Sequence, residues 1–139
     1  MGAFFLTKFK GQPKPMNPQD FGTYVEYLFA LKCIENGYKV SFPLHPHSEY
    51  DCIVDVGERL YKVQVKGSRQ EINEDGDVKV QISNRKNLAY LEDDVDFMAI
   101  YVSQYNGFFV VPVNGNKTIR LSMKNKNAKY FNNFAFDFS

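Results

Sequence analysis

Three polar side chains set among strand-forming residues are the first that could do chemistry: Asp51, Gln64 and Lys66. They lie in Tyr50-Asp51-Cys52-Ile53-Val54-Asp55 and Leu60-Tyr61-Lys62-Val63-Gln64-Val65-Lys66, two β-prone arms around Gly57-Glu58, a permissible two-residue type II′ turn. That turn places Asp51 opposite Gln64, with Cβ atoms about 5 Å apart on one face of the sheet. Lys66 shares the face, about 7 Å further along its strand. A carboxylate and an amide oxygen suit a hard cation, and an ammonium beside them stabilises charge on an attacked phosphate. The set fits metal-activated water attacking phosphorus. A one-residue bulge would break this register, and Asp51 with Lys66 alone also reads as a cross-strand ion pair of little worth.

Other elements must carry this hairpin. Asn17-Pro18 reads as an N-cap with Pro at the first helical position, and a helix is expected from Pro18 to about Glu35, stopped by Asn36-Gly37. Its expected core stripe is Phe21, Tyr24, Val25, Leu28 and Leu31. Glu26 on that helix has Gly22, Phe29, Ala30 and Cys33 as neighbours, so it is a lone carboxylate on an uncharged stripe whose small residues would allow close approach to a sheet. It reads either as a second acid for the site or as a helix-surface Glu. Strands are expected at Lys39 to Phe42, in both arms of the hairpin, and at Val78 to Ser83. Two more, at Phe97 to Val102 and Phe108 to Val113, are joined through Asn106-Gly107. Asn84 to Tyr90 reads as a short helix, and Ile119 to Ser139 has no clear period. The order implies an α/β or α+β fold around one sheet.

At 139 residues, 44% hydrophobic and 24% charged, the chain is most simply one soluble domain, residues 1–139. No apolar run is long enough to cross a bilayer, and Cys33 and Cys52 fall at apolar positions, so a cytoplasmic protein with no membrane partner and no disulfide framework is expected. The net charge of +1 does not advertise a polyanion partner, but its distribution does. Lys8, Lys10 and Lys14 mark an extended basic arm over residues 1–16. Lys117, Arg120, Lys124, Lys126 and Lys129 make a second acid-free stretch. Either can contact phosphates or be a solvated tail. Arg59, Arg69 and Arg85 have the same two readings. Asp55 reads as a hairpin-end residue, and Glu92 to Asp96 as a cap at the start of the next strand. The spacing of Cys33, His45, His47 and Cys52 matches no zinc site. No phosphate-binding glycine loop and no Ser or Cys nucleophile with a His partner is present.

Taken in order, the helical Glu26, Gly37-Tyr38-Lys39-Val40-Ser41-Phe42-Pro43, Tyr50-Asp51-Cys52-Ile53-Val54-Asp55, Tyr61-Lys62-Val63-Gln64-Val65-Lys66, Asp94-Val95-Asp96-Phe97-Met98-Ala99-Ile100-Tyr101 and Lys124-Asn125-Lys126-Asn127 resemble the PD-(D/E)XK nuclease superfamily. They are most similar to its group I intron-encoded homing endonuclease branch, whose motif ends in Gln-x-Lys. The resemblance spans about residues 20–135. It implies a restriction-endonuclease-like core, a mixed β-sheet flanked by helices, and Mg²⁺-dependent cleavage of double-stranded DNA, with Mn²⁺ able to substitute. It maps Glu26, Asp51, Gln64 and Lys66 onto the catalytic positions, with Glu26, Asp51 and Gln64 toward the metal. Where many members place a carboxylate, this chain has Gln64. The resemblance also implies a dimer or tetramer, since two strands need two sites. A Holliday-junction-resolving nuclease and a non-catalytic DNA-binding protein on the same scaffold are the competing readings.

Overall fold

Asn17 starts the first element by accepting a 2.8 Å hydrogen bond from the Asp20 amide, leaving Pro18 where no amide is needed. In the computed structural model, which describes residues 14–138, helix α1 runs Pro18–Glu35. It ends at Asn36, whose amide donates back to the Lys32 and Cys33 carbonyls. The buried stripe is Phe21, Val25, Phe29, Ala30 and Cys33. Tyr24 and Leu31, expected inside, are 44% and 57% exposed. The helix is apolar nearly all round, so its periodicity does not decide which side meets the sheet. The fit against the sheet decides it. A Cβ built on Gly67 would lie 2.6 Å from Phe21 Cε2 and 2.9 Å from Val25 Cγ2. Gly22, expected to permit the close approach, has nothing within 4 Å of its Cβ position. The small residue that lets helix and sheet touch is therefore on the strand.

Among the described residues the main sheet contains β1 (Lys39–Ser41), β2 (Cys52–Asp55), β3 (Leu60–Ser68), β5 (Phe97–Val102) and β6 (Gly107–Pro112), in the order β1-β2-β3-β5-β6. β3 and β5 are parallel and the other pairs antiparallel, so the sheet is mixed as expected. In the β2–β3 hairpin Cys52 faces Val63 and Val54 faces Tyr61, the register the Gly57-Glu58 turn implies. Gly57 takes φ +99°, where glycine carries no Cβ penalty, and the Asp55 carboxylate accepts its amide at 2.8 Å. β5 and β6 join through a 3₁₀ turn, Ser103–Tyr105, and Asn106 in the left-handed region. Asp96 ties the start of β5 to β3 by accepting from the Lys62 amide at 2.8 Å.

Each face of the sheet has its own cover. Cys52, Val54, Val63, Val65, Ala99 and Phe108 pack under α1 together with Phe134 and Phe136. Met98, Ile100, Val102, Phe109 and Val111 pack under a separate two-stranded ribbon, β4 (Val78–Gln81) with β7 (Thr118–Leu121). β7 is absent from the sequence reading, because a four-residue strand between Lys117 and Ser122 offers only two periods to recognise. The expected strand Val78 to Ser83 ends at Gln81 and belongs to this ribbon. Asn84 to Tyr90 is not helical. The Asn84 side chain accepts the amides of Lys86 and Leu88, and Asn87 sits at φ +59°, a turn that competes successfully with a helix.

Candidate active site

The site begins where the β2 ladder ends. The Asp51 amide donates to the Val63 carbonyl at 2.9 Å, although Val63 already faces Cys52. Two residues against one make a β-bulge, which re-aims a side chain. Direct pairing of Asp51 with Gln64 therefore does not form. Instead Asp51 Oδ2 accepts the Val65 amide at 2.8 Å. Gln64 and Lys66 alternate with Val63 and Val65, which bury against α1, so the two polar side chains leave by the opposite face.

Glu26 is half-buried on α1, and its carboxyl is hydrogen-bonded to that of Asp51. Burial, then the Asp51 charge, pushes the Glu26 carboxyl from 4.5 up to about 7. Burial also pushes Asp51 up, but the Val65 amide, Glu26 and the Lys66 charge all favour its ionised form. The proton of the pair thus resides on Glu26, which donates to an ionised Asp51. The Lys66 ammonium donates to the Ser83 carbonyl at 3.0 Å and lies 6.0 Å from the centre of the Tyr90 ring. Burial lowers the Lys66 pKa, and the Asp51 charge opposes that. Gln64 Oε1 is buried and has no hydrogen-bond partner among the described residues. Leaving such an acceptor empty costs roughly 1–3 kcal/mol.

These four residues line one open cleft of about 800 Å³. Its other wall is built from the 42–49 and 83–90 segments, including His47, Ser83, Arg85, Lys86 and Tyr90. Arg85 Nη1 lies 2.5 Å from His47 Nδ1, and His47 takes φ +64°. Ser83 and Tyr90 escaped the sequence reading. Ser83 opens the polar run Ser83-Asn84-Arg85-Lys86-Asn87, which resembles any surface loop, and Tyr90 lies just beyond it with no signal of its own. Two carboxyl groups and an orphaned amide oxygen form a donor set suited to a hard, oxygen-seeking cation such as Mg²⁺. Among the described residues no group of three or more His, Cys, Asp or Glu comes together, and beside Glu26 and Asp51 the cleft offers the unpaired Gln64 oxygen as a third donor.

Of the other basic candidates among the described residues, only Arg85 lines this cleft. Arg59 lies over the Tyr61 and Phe138 rings, and Arg69 packs on Phe21 and donates to the Met16 carbonyl. Lys14 is exposed, Arg120 is on β7, and Lys124 and Lys126 are exposed beyond it. Lys8 and Lys10, with most of the expected arm, lie outside the described residues. Among those described, no helix is long and apolar enough to cross a membrane.

Residues 16–137 match the sequence model of the PD-(D/E)XK endonuclease family. The chain belongs to this family. PD-(D/E)XK nucleases generally use divalent metals. The chain is similar to a bacterial homing endonuclease, I-Ssp6803I, at 26% identity and a TM-score of 0.67, over 84% of this chain and 89% of that one. It shares its fold with Hjc, a Holliday junction resolvase of Archaeoglobus fulgidus, at 11% identity and a TM-score of 0.51, over 73% and 83% of the two chains. Protein 5.3 of Escherichia phage T7 is 29% identical over 110 residues, 78% of this chain and 93% of that protein. The PD-(D/E)XK assignment and these neighbours make the fold restriction-endonuclease-like.

Proposed function

We propose that this PD-(D/E)XK nuclease is a single-domain, Mg²⁺-dependent endonuclease of double-stranded DNA, of homing type, that cuts at a preferred sequence as a dimer or tetramer. The observation that carries the reading is the convergence of Glu26, Asp51, Gln64 and Lys66 on one cleft, with Gln64 Oε1 buried and unpaired. Likeness to a homing endonuclease over most of both chains supports the sequence-specific form.

Glu26, Asp51 and Gln64 would hold the cation. When bound, it supplies positive charge to the phosphate and acidity to the attacking water. Asp51 is fixed in place by the Val65 amide, so its carboxylate needs no reorganisation. To hold the cation Glu26 would have to release the proton that burial and Asp51 favour, so binding there would be proton-coupled. Lys66, fixed at its far end by the Ser83 carbonyl, offers an ammonium to the developing phosphate charge. Arg85 and Lys86 on the opposite wall hold the backbone of the cut strand by its phosphates.

The test is cleavage of linear duplex and of a four-way junction, with Mg²⁺, Mn²⁺ or chelator. Duplex cutting that requires the metal and disappears in Asp51→Ala and Lys66→Ala is expected. Cutting of the junction alone would move the protein to the resolving nucleases. Binding without cutting in either metal would make it a non-catalytic DNA-binding protein.

A further inference from the structure

The β4–β7 ribbon has a face that the cleft does not use. Val78, Val80 and Leu121 point inward and are buried against the sheet. The alternate residues, Lys79, Gln81, Thr118 and Arg120, are all exposed on the outer side. Their register is direct: Lys79 faces Arg120 and Gln81 faces Thr118. Like charges directly opposite destabilise a strand pair. Asp77 offsets Arg120 in part, at 3.5 Å, but Lys79 has no ion-pair partner among the described residues. An arrangement that costs stability in the free protein is repaid when a polyanion lies across it.

We infer that this ribbon enters the major groove of duplex DNA and reads bases there through Lys79, Thr118 and Arg120, an inference that rests on the DNA-cleaving function proposed above. The major groove, about 12 Å wide, admits a two-stranded ribbon whose strands lie about 5 Å apart. Successive outward residues are about 7 Å apart, two base-pair rises, so the Lys79–Arg120 and Gln81–Thr118 pairs address positions about two base pairs apart. Arg120 presents a planar fork suited to guanine O6 and N7, Lys79 donates to the same acceptors, and the Thr118 methyl packs on thymine. Arg120 keeps four of its five donors beyond the Asp77 contact, and its side chain is 58% exposed.

The ribbon is also aimed at the cleft. Gln81 Nε2 donates to Ser83 Oγ at 3.0 Å and to Asn87 Oδ1 at 2.9 Å, and the Ser83 carbonyl is the partner of Lys66. Gln81 thus couples reader to site, and the bases read lie within about five base pairs of the cut phosphate. Asn125 and Asn127 donate to the Arg120 carbonyl at 3.0 and 2.8 Å, so the segment with exposed Lys124, Lys126 and Lys129 flanks the ribbon, where it meets phosphates.

The test selects bound sequences from a randomised duplex library, without metal, using the full chain carrying Lys66→Ala so that nothing is cut. The unsubstituted ribbon is expected to select a motif. Arg120→Ala should relax a contiguous block of it and weaken binding to the selected site roughly 5- to 150-fold. Arg120→Lys should keep the salt dependence but lose most of the preference, and Lys126→Ala should weaken all sequences alike and lower the salt slope by about one. Melting curves of each variant guard against misfolding. A motif unchanged by Arg120→Ala and Lys79→Ala, or no motif with the intact ribbon, overturns the inference. If the wild-type protein cuts no DNA, the proposed function fails, yet this binding selection still reads the ribbon by itself.

Discussion

Replacing Glu26 by Gln should make the metal-free protein more stable at pH 8, which is the reverse of what losing a carboxylate usually does. Burial and the neighbouring Asp51 charge raise Glu26 from 4.5 to about 7. For a fully buried acid that displacement is worth roughly 3 kcal/mol, and solvent screening at a half-exposed helix position leaves about 1–2 kcal/mol. The folded protein binds this proton more tightly than the unfolded chain. Glu26's contribution is therefore complete below about pH 4.5 and is lost as pH rises through about 7. Gln donates to Asp51 at every pH and carries no charge, so it escapes that loss. Urea and thermal denaturation in chelator, from pH 4 to 8, should show Glu26→Gln equal to wild type at the acid end. At pH 8 it should be higher by about 1–2 kcal/mol, or roughly 3–8 °C in Tm. Mg²⁺ should reverse the order, because a cation that binds only the folded state stabilises wild type by about 2.7 kcal/mol at a hundredfold excess over Kd, and the variant by less. Parallel pH profiles in chelator, or a Gln variant less stable at pH 8, would refute the shared-proton account.

Gln64→Glu should tighten Mg²⁺ binding measured by calorimetry while lowering metal-free stability above pH 7, because a third acid joins an already repelling pair. Gly67→Ala should cost about 1–3 kcal/mol in urea denaturation, since its methyl would meet Phe21 and Val25 at under 3 Å. Arg85→Ala should raise KM for duplex DNA and lower the salt slope of binding by about one with kcat nearly unchanged, as expected of a phosphate contact on the cleft wall.

What could be seen in the sequence depended on how local its cause was. Asn17-Pro18 and Asn36-Gly37 bound α1 correctly because capping is decided within four residues. The Gly57-Glu58 turn gave the β2–β3 register for the same reason. The side of α1 that packs was not local. It follows from Gly67, which lies more than thirty residues beyond the helix, where a Cβ would strike Phe21. The ribbon was illegible because β4 and β7 are distant in sequence, and a Lys–Arg register only exists once they pair. At the site, the residue types were legible and the geometry was not. Counting pairs put Asp51 beside Gln64, whereas the bulge hands the Asp51 carboxylate to the Val65 amide. A bulge leaves no mark in residue types when both of its residues suit a strand.

Gln64, which falls short of a carboxylate as a ligand, fits the charge of this cleft better than one would. Glu26 and Asp51 already hold a proton between them up to about pH 7, because burial and mutual repulsion disfavour ionising both. Lys66 is too desolvated to relieve a further charge fully, since burial lowers its own pKa. A third carboxylate at position 64 would therefore take up another proton, and an incoming cation would have to displace two. An amide oxygen that is buried and unpaired presents a lone pair with no proton to remove. The trade is weaker attraction for the cation against a smaller proton cost, and the Gln64→Glu variant tests it directly: its cation affinity should depend more steeply on pH than that of the wild-type protein. Equal pH dependence in the two proteins would show that Gln64 Oε1 does not share the cation with Glu26 and Asp51.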